Sequence, residues 1–195
     1  MWNERFRDAE HAYGTEPNDF LAARWTALPK GPILSLAEGQ GRNAVFLAQQ
    51  GHDVLGVDGS EVGLARARSL AESRGVEIAT RVVDLADFEI EPSHFAGIIS
   101  IFAHVPRDLR RSLHRRVVSG LRPGGVFLLE AYSPKQLGMG TGGPPDLERL
   151  FDLDEVRGEL EGLMIEHGVE TKRAVVEGQF HTGDAWVTQI LARRP

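Results

Sequence analysis

Ile33-Leu34-Ser35-Leu36-Ala37-Glu38-Gly39-Gln40-Gly41-Arg42-Asn43-Ala44 carries a short apolar run into a pair of glycines and out again. Residues 33–37, entered through Pro29 and Gly31-Pro32, read as a buried strand. Residues 43–50 read as a helix, and Gly51 stops it in the way glycine commonly ends helices. The next run, Asp53-Val54-Leu55-Gly56-Val57, reads as a second strand ending at Asp58-Gly59-Ser60, with Asp58 lying 19 positions beyond Gly39. Strand, Gly-x-Gly-x-x-Ala turn, helix, strand and terminal carboxylate, in that order, form the start of a nucleotide-binding α/β fold.

Outward from this segment the alternation continues. Ser60 is placed to cap a helix carrying Leu64, Ala67, Leu70 and Ala71 to Gly75. Residues 78–83 and 97–102 read as the third and fourth strands. Leu109, Leu113, Val117 and Leu121 recur every four residues as one apolar helical stripe, ended by Arg122-Pro123-Gly124-Gly125. Residues 126–129 make a fifth strand. Strands separated by helices imply right-handed crossovers and a parallel sheet covered on both faces. The last third differs: a Gly/Pro-rich loop at 133–146, a charged helix over 154–163, and strands at 170–180 and 186–192 joined through His181-Thr182-Gly183-Asp184. The expected fold is a Rossmann-like, doubly wound, seven-stranded α/β sheet, mostly parallel, with an antiparallel C-terminal hairpin strand. It forms a single domain over 1–195, in which residues 1–28 serve as a lid or cover.

Composition limits the chemistry. The chain has 195 residues, net charge −6 and no cysteine. At this size about 70% of the unfolded surface can be buried, so no disulfide or structural metal is needed. Without cysteine there is no thiolate nucleophile and no Cys-ligated zinc. The seven histidines show no metal-ligand spacing, so no metal is expected. A polar start without an apolar leader, and no apolar run near the ~20 residues of a membrane span, point to a cytoplasmic protein. The acidic total makes nucleic acid an unlikely partner.

The glycines would let a ligand meet the backbone, and a carboxylate at the end of the second strand can take both hydroxyls of a ribose. The plain alternative is a structural turn in which Asp58 caps the next helix. An adenosine-type ligand leaves two cofactors. A nicotinamide dinucleotide needs its pyrophosphate at the helix N-terminus, where Glu38 would place a like charge. S-adenosyl-L-methionine carries no phosphate, and its ammonium and sulfonium suit a carboxylate.

Leu34-Ser35-Leu36-Ala37-Glu38-Gly39-Gln40-Gly41-Arg42-Asn43, Val57-Asp58-Gly59-Ser60, Val83-Asp84-Leu85 and Leu121-Arg122-Pro123-Gly124-Gly125 resemble the ordered motifs of class I S-adenosylmethionine-dependent methyltransferases. With Tyr13-Gly14 and Pro17 upstream, the Gly-x-Gly-Arg-Asn form is similar to the tellurite-resistance branch, relatives of the thiopurine methyltransferases. The resemblance covers residues 10–132. It implies that Gly39 and Gly41 meet the methionine and ribose portion, with Glu38 and Arg42 beside them. It further implies that Asp58 binds the ribose hydroxyls, Gly59 and Ser60 flank the adenine, Asp84 binds its exocyclic amine, and Leu85 packs on the ring. Ser100 and Ile101 would lie under the transferring methyl, and Tyr13 would close over the cofactor, released as S-adenosyl-L-homocysteine. One departure stands out: the family usually carries an acidic residue and a glycine where this chain has Ser35 and Ala37, and its carboxylate is Glu38.

A soft anionic acceptor such as a thiolate or selenide needs no general base, whereas a hydroxyl, amine or carbon acceptor usually does. The candidate bases near the C-terminal strand ends are His104, Tyr132 and His181, with Glu130 able to face the acceptor or to pair with an arginine. Each has a plain reading as well: a loop histidine ahead of Pro106, a packed strand-end tyrosine, a polar hairpin tip. Arg107, Arg110, Arg111, Arg115, Arg116 and Arg122 make one helix basic, as a solvated face or a site for an anionic partner. Trp2, Phe6, His11 and Tyr13 suggest an amphipathic amino-terminal helix. The reading is a methyltransferase acting on a small-molecule acceptor, such as a thiol, selenide or tellurite-type nucleophile. Against it stand an NAD(P)-dependent oxidoreductase, for which no Tyr-x-x-x-Lys pair is present, and a non-catalytic S-adenosylmethionine-binding module.

Overall fold

A computed structural model describes residues 13–178 and 182–195. Seven strands form one sheet: β1 Pro32–Leu36, β2 Asp53–Asp58, β3 Ala79–Val82, β4 Phe95–Ile101, β5 Leu121–Tyr132, β6 Met164–Val176 and β7 Thr182–Arg193. Their order is β3-β2-β1-β4-β5-β7-β6. The β1–β2, β1–β4, β2–β3 and β4–β5 pairs are parallel, and β7 runs antiparallel to both β5 and β6. The chain reverses its direction of winding at β1, which has β2 on one side and β4 on the other. In such sheets the ligand crevice opens at the carboxyl ends of those strands.

The helices are α1 Asp19–Arg24, α2 Arg42–Gln49, α3 Glu61–Ser73, α4 Arg107–Gly120 and α5 Leu153–Glu159. Period-two alternation divides the core. Leu34, Leu36, Ile98, Phe127 and Leu129 face Leu113 and Val117 of α4 and Val156 of α5. Ile33, Ile99, Val126 and Leu128 face Phe20 and Leu21 of α1 and Ala44 and Leu47 of α2. Between β3 and β4 the chain crosses over without a helix. Residues 83–94 instead bury Leu85, Phe88 and Ile90 in the core, and Arg116 of α4 holds them by bonding the carbonyls of Leu85, at 3.0 Å, and Phe88.

Several boundaries differ from the expectations, among them the hairpin, where β6 ends at Val176 and β7 begins at Thr182, ahead of the expected 186. β5 begins at Leu121 because the Arg122-Pro123-Gly124-Gly125 segment passes as an irregularity in the β4–β5 ladder. β6 begins at Met164, and as an edge strand it alternates between exposed and half-buried side chains, which hides its first half in the sequence. α5 stops at Glu159, short of the expected 163. The 133–146 loop is stitched to the hairpin. Gln136 bonds Thr141 and Gly142 and accepts from the Trp186 N–H at 2.9 Å, while Thr141 bonds the Asp184 carbonyl. Trp2, Phe6 and His11 of the expected amino-terminal helix lie outside the described residues, as do Phe180 and His181. Among the described residues no helix is long and apolar enough to cross a membrane.

Candidate active site

At the switch point, Gly39 and Gly41 adopt φ +62° and +95°. The tight turn at Gly41 has a packing cause: a Cβ there would lie 2.6 Å from the Cα of Ala67 in α3. Ala37, where the resembling family places glycine, sits at φ +52°, a conformation an L-residue adopts at a cost of about 1 kcal/mol or more. Asp58 ties the two strand ends together. Its Oδ2 accepts the Gly39 N–H at 2.9 Å and its Oδ1 the Ser60 N–H at 2.7 Å. Burial pushes its carboxyl up, against the two amides that favour the anion. Each oxygen retains a lone pair, so the carboxylate is held rigid and can still accept from a ligand. Ser60 caps α3 through the Gly63 N–H at 3.0 Å.

The carboxylate of Glu38 turns back under the loop. Its Oε1 accepts the Ala44 N–H at 3.0 Å, in the first turn of α2, and its Oε2 accepts the Ser35 hydroxyl. Ser35 and Glu38 thus rebuild a carboxylate beside the position where the family usually carries one. Gly56 on β2 makes room, since a Cβ there would press on the Glu38 side chain at 3.1 Å. Burial is the largest influence on this group and raises it from 4.5 to about 7. The bonds from Ser35 and Ala44 and the charge of Arg42 oppose the rise, and the nearby Asp58 adds to it. The N-terminal turn of α2 therefore already holds a carboxyl group of the protein's own.

The remaining expected positions are spread along the same crevice. Gly59 is exposed beside the end of β3. Asp84 is exposed, with Oδ1 on the Ala86 N–H at 2.9 Å. Leu85 is turned into the core. Ser100 and Ile101 end β4, both buried. Phe102 follows at φ +52°, rare for a bulky residue, and its N–H bonds the Glu130 carbonyl at 2.8 Å. Strain of this kind recurs where a scaffold aims a side chain at a site.

Sequence reasoning missed a polar cluster over the ends of β1, β4 and β5. Asn18, fully buried at the start of α1, donates to Glu130 at 2.7 Å and to Glu177 at 2.9 Å, and its own N–H bonds the Asn43 side chain at 3.0 Å. Arg173 on β6 bonds Glu130, Glu177 at 2.7 Å and Asp19 at 3.1 Å, while Gln189 donates to Glu130 at 2.5 Å. Glu130 therefore pairs with an arginine and does not act as a loose carboxylate. Arg42 reaches Glu177 at 2.5 Å. Only Asn18 announced itself locally, as a helix-capping residue ahead of Asp19-Phe20-Leu21.

A family model described as a methyltransferase domain matches residues 33–125, the span from β1 to the beginning of β5. The 2-heptyl-1-hydroxyquinolin-4(1H)-one methyltransferase of Mycobacteroides abscessus is 27% identical over 71% of this chain and 67% of its own length. The chain is an S-adenosylmethionine-dependent methyltransferase. The tRNA 5-carboxymethoxyuridine methyltransferase of Escherichia coli is 29% identical over 52% of this chain, which spans only 40% of that relative. Crystalline TehB from Haemophilus influenzae superposes with TM-score 0.74 at 20% identity, over 91% of this chain and 62% of that one, a likeness of fold.

On the acceptor side of the methyltransferase, His104 does not stand ready as a base. Its Nδ1 donates to the Arg149 carbonyl at 2.8 Å, leaving Nε2 to face the Tyr132 N–H at 3.4 Å, and the ring stacks on Tyr132 at 5.4 Å. Burial, with the charges of Arg110 and Arg149, lowers it to about 4, so it is neutral at physiological pH. Tyr132 is fully buried, and burial together with the Glu177 charge pushes its phenol well above the ordinary value. Tyr13 lies near enough to add to that effect, which brings the amino-terminal segment to the end of β5. His181 lies outside the described residues.

The arginine-rich helix of the methyltransferase is mostly spent internally. Arg110, fully buried, bonds Glu155 at 2.9 Å, Glu159 at 2.8 Å and the Leu150 carbonyl at 2.9 Å, and sits over the Phe151 ring. Arg107 and Arg111 pair with Glu155 and Glu159, and Arg122 bonds the Lys30 carbonyl. Much of the basic stripe is matched by the acidic face of α5, while Arg111 and Arg115 keep exposed side chains.

Proposed function

We propose that this methyltransferase acts on a small-molecule acceptor that brings its own lone pair, a thiol, selenide or tellurite-type nucleophile. One observation carries the reading: among the described residues at the acceptor end, none is set as a general base. Both nitrogens of His104 are engaged, the Tyr132 phenol is held neutral, and Glu130 is locked by Arg173, Asn18 and Gln189. When bound, S-adenosylmethionine supplies a sulfonium-borne methyl that an acceptor lone pair displaces in line. The residues of this chain then work by positioning, worth on the order of 7–11 kcal/mol of barrier where alignment is good.

In this reading Asp58 holds the ribose hydroxyls, Gly39 and Gly41 leave the backbone open to the ligand, Gly59 and Ser60 flank the adenine, and Asp84 takes its exocyclic amine. Ser100, Ile101 and Phe102 form the floor below the methyl, with Tyr13 over it. Glu38 on the Ala44 amide supports a phosphate-free cofactor over a dinucleotide, because a pyrophosphate at that turn would find the amide already occupied by the protein's own carboxyl group. The Gly-x-Gly-Arg-Asn turn and the fold likeness to TehB support a place near the tellurite-resistance branch. The net charge of −6 and the internally paired α4 argue for a small acceptor over tRNA.

A second reading follows from the Mycobacteroides relative: an N-hydroxy heterocycle, whose acidic N–OH also needs little help to ionise. Turnover of S-adenosylmethionine against a panel of thiols, a selenol, tellurite, an N-hydroxyquinolone and simple amines separates the readings. Activity with the soft nucleophiles supports the first, activity confined to the N-hydroxy compound the second, and activity with amines alone removes both.

A further inference from the structure

Six large apolar side chains are exposed among the described residues, and four of them lie at one end of the sheet. Leu137, Met139 and Leu147, exposed by 44%, 37% and 51%, belong to the segment after β5, and Val176, 77% exposed, ends β6. β6 runs parallel to β5 through their shared antiparallel partner β7, so both strands end on the acceptor side. Exposed apolar side chains scattered singly need no explanation, but a group gathered beside a site marks a ligand surface. We propose that this strip receives a hydrocarbon tail on the acceptor, so that the substrate is an amphiphile with a thiol or selenol head and an alkyl chain. The proposal rests on an acceptor that brings its own lone pair and narrows that reading to head and tail.

The topology gives the strip its length. Tyr132, the last residue of β5, pairs with Val187, and Val187 pairs with Thr171. Val176 lies five positions beyond Thr171, so the hairpin projects about 16 Å past the end of β5. The loop after β5 runs beside this projection, tied by Gln136 to the Trp186 N–H and by Thr141 to the Asp184 carbonyl. Between those ties Leu137 and Met139 are left facing water. The loop then returns to the site, where a Cβ at Gly143 would lie 3.0 Å from the Tyr132 ring. The turn that carries Leu147 is pinned there too, by the Phe151 N–H on the Tyr132 carbonyl and the Arg149 carbonyl on His104. From Tyr132 the rings of Phe102, at 4.7 Å, and His104, at 5.4 Å, carry the apolar surface back to the end of β4. The nearby carboxylates of Glu130 and Glu177 are both turned to Arg173, so the charge beside this path is paired.

The test is turnover of a series of 1-alkanethiols from ethanethiol to heptanethiol. For the native protein kcat/KM should rise about two- to fourfold with each added methylene, the increment of burying one such group. In the triple variant Leu137→Ser/Met139→Ser/Leu147→Ser the increment should fall below about 1.5-fold, whereas Met164→Ser, altered at the opposite end of β6, should keep it. Calorimetry with S-adenosylhomocysteine checks that both variants fold. The matching alkyl methyl sulfides, which carry the tail without the nucleophile, are titrated against protein loaded with S-adenosylhomocysteine and should tighten by similar increments. Turnover indifferent to chain length, or an increment that survives the triple variant, overturns the proposal and leaves the lone-pair reading standing. Failure to turn over any thiol overturns that reading instead, and the sulfides then decide the tail: affinity rising with chain length supports it, and a flat series overturns it. A dimer in sedimentation that the triple variant dissociates, together with a flat series, gives the strip to a second copy of the chain and overturns the proposal.

Discussion

Ala44 donates its backbone N–H to the carboxylate of Glu38 at 3.0 Å, so the first turn of α2 is capped by an acid six residues upstream and not by a ligand. That acid is raised from 4.5 to about 7, chiefly by burial. The folded state thus holds a proton there that the unfolded chain releases near pH 4.5. Its contribution to stability is full below about pH 4.5 and is lost as pH rises through about 7. Glu38→Gln keeps a neutral acceptor for Ala44 and a partner for Ser35. Urea unfolding at pH 5 and pH 8 should show the native protein losing on the order of 3 kcal/mol relative to the variant across that interval. Parallel pH profiles would show that Glu38 does not titrate there.

Asp58 bridges Gly39 and Ser60 and is the expected ribose ligand. Asp58→Ala should weaken S-adenosylhomocysteine binding by about 1–3 kcal/mol in calorimetry, as for a lost charge-assisted bond. Unchanged affinity would place the nucleoside elsewhere.

Glu130 is fully buried and depends on Arg173 for its counter-charge. Arg173→Met should cost about 3–5 kcal/mol in chemical denaturation, the usual penalty for stranding one member of a buried pair. Adding Glu130→Gln should recover a good part of it, and a double variant as weak as the single one would count against the pairing.

With both nitrogens engaged, His104 serves the structure. His104→Gln should lower thermal stability, through the lost Arg149 and Tyr132 contacts, while kcat/KM falls less than tenfold. A loss of 100-fold or more would restore it as a catalytic base.

What was legible in the sequence was what is local. The glycine turn, Asp58 and the Ser60 cap lie within about 20 residues of one another, and their spacing alone orders β1, α2, β2 and α3. The partners of Glu130 and Arg42 are not local: Asn18 to Glu130 spans 112 positions and Arg42 to Glu177 spans 135. No periodicity encodes such pairs; the sheet order β5-β7-β6 brings them together. Arg110 misled for a related reason. One face of α4 reads as solvated until α5 lays Glu155 and Glu159, 45 and 49 positions beyond Arg110, on it. The helix-free crossover between β3 and β4 follows the same logic, since Leu85, Phe88 and Ile90 fill the core without needing helical spacing.

The central claim is that the chain aligns its reactants and the acceptor supplies the reactive lone pair. It is tested most directly by the pH dependence of kcat/KM for a series of thiol acceptors whose own pKa values differ by several units. The account predicts that the midpoint of each profile moves with the pKa of the acceptor, because the thiolate fraction sets the rate. A midpoint that stays at one pH across the whole series would reveal a base in the protein and contradict the account.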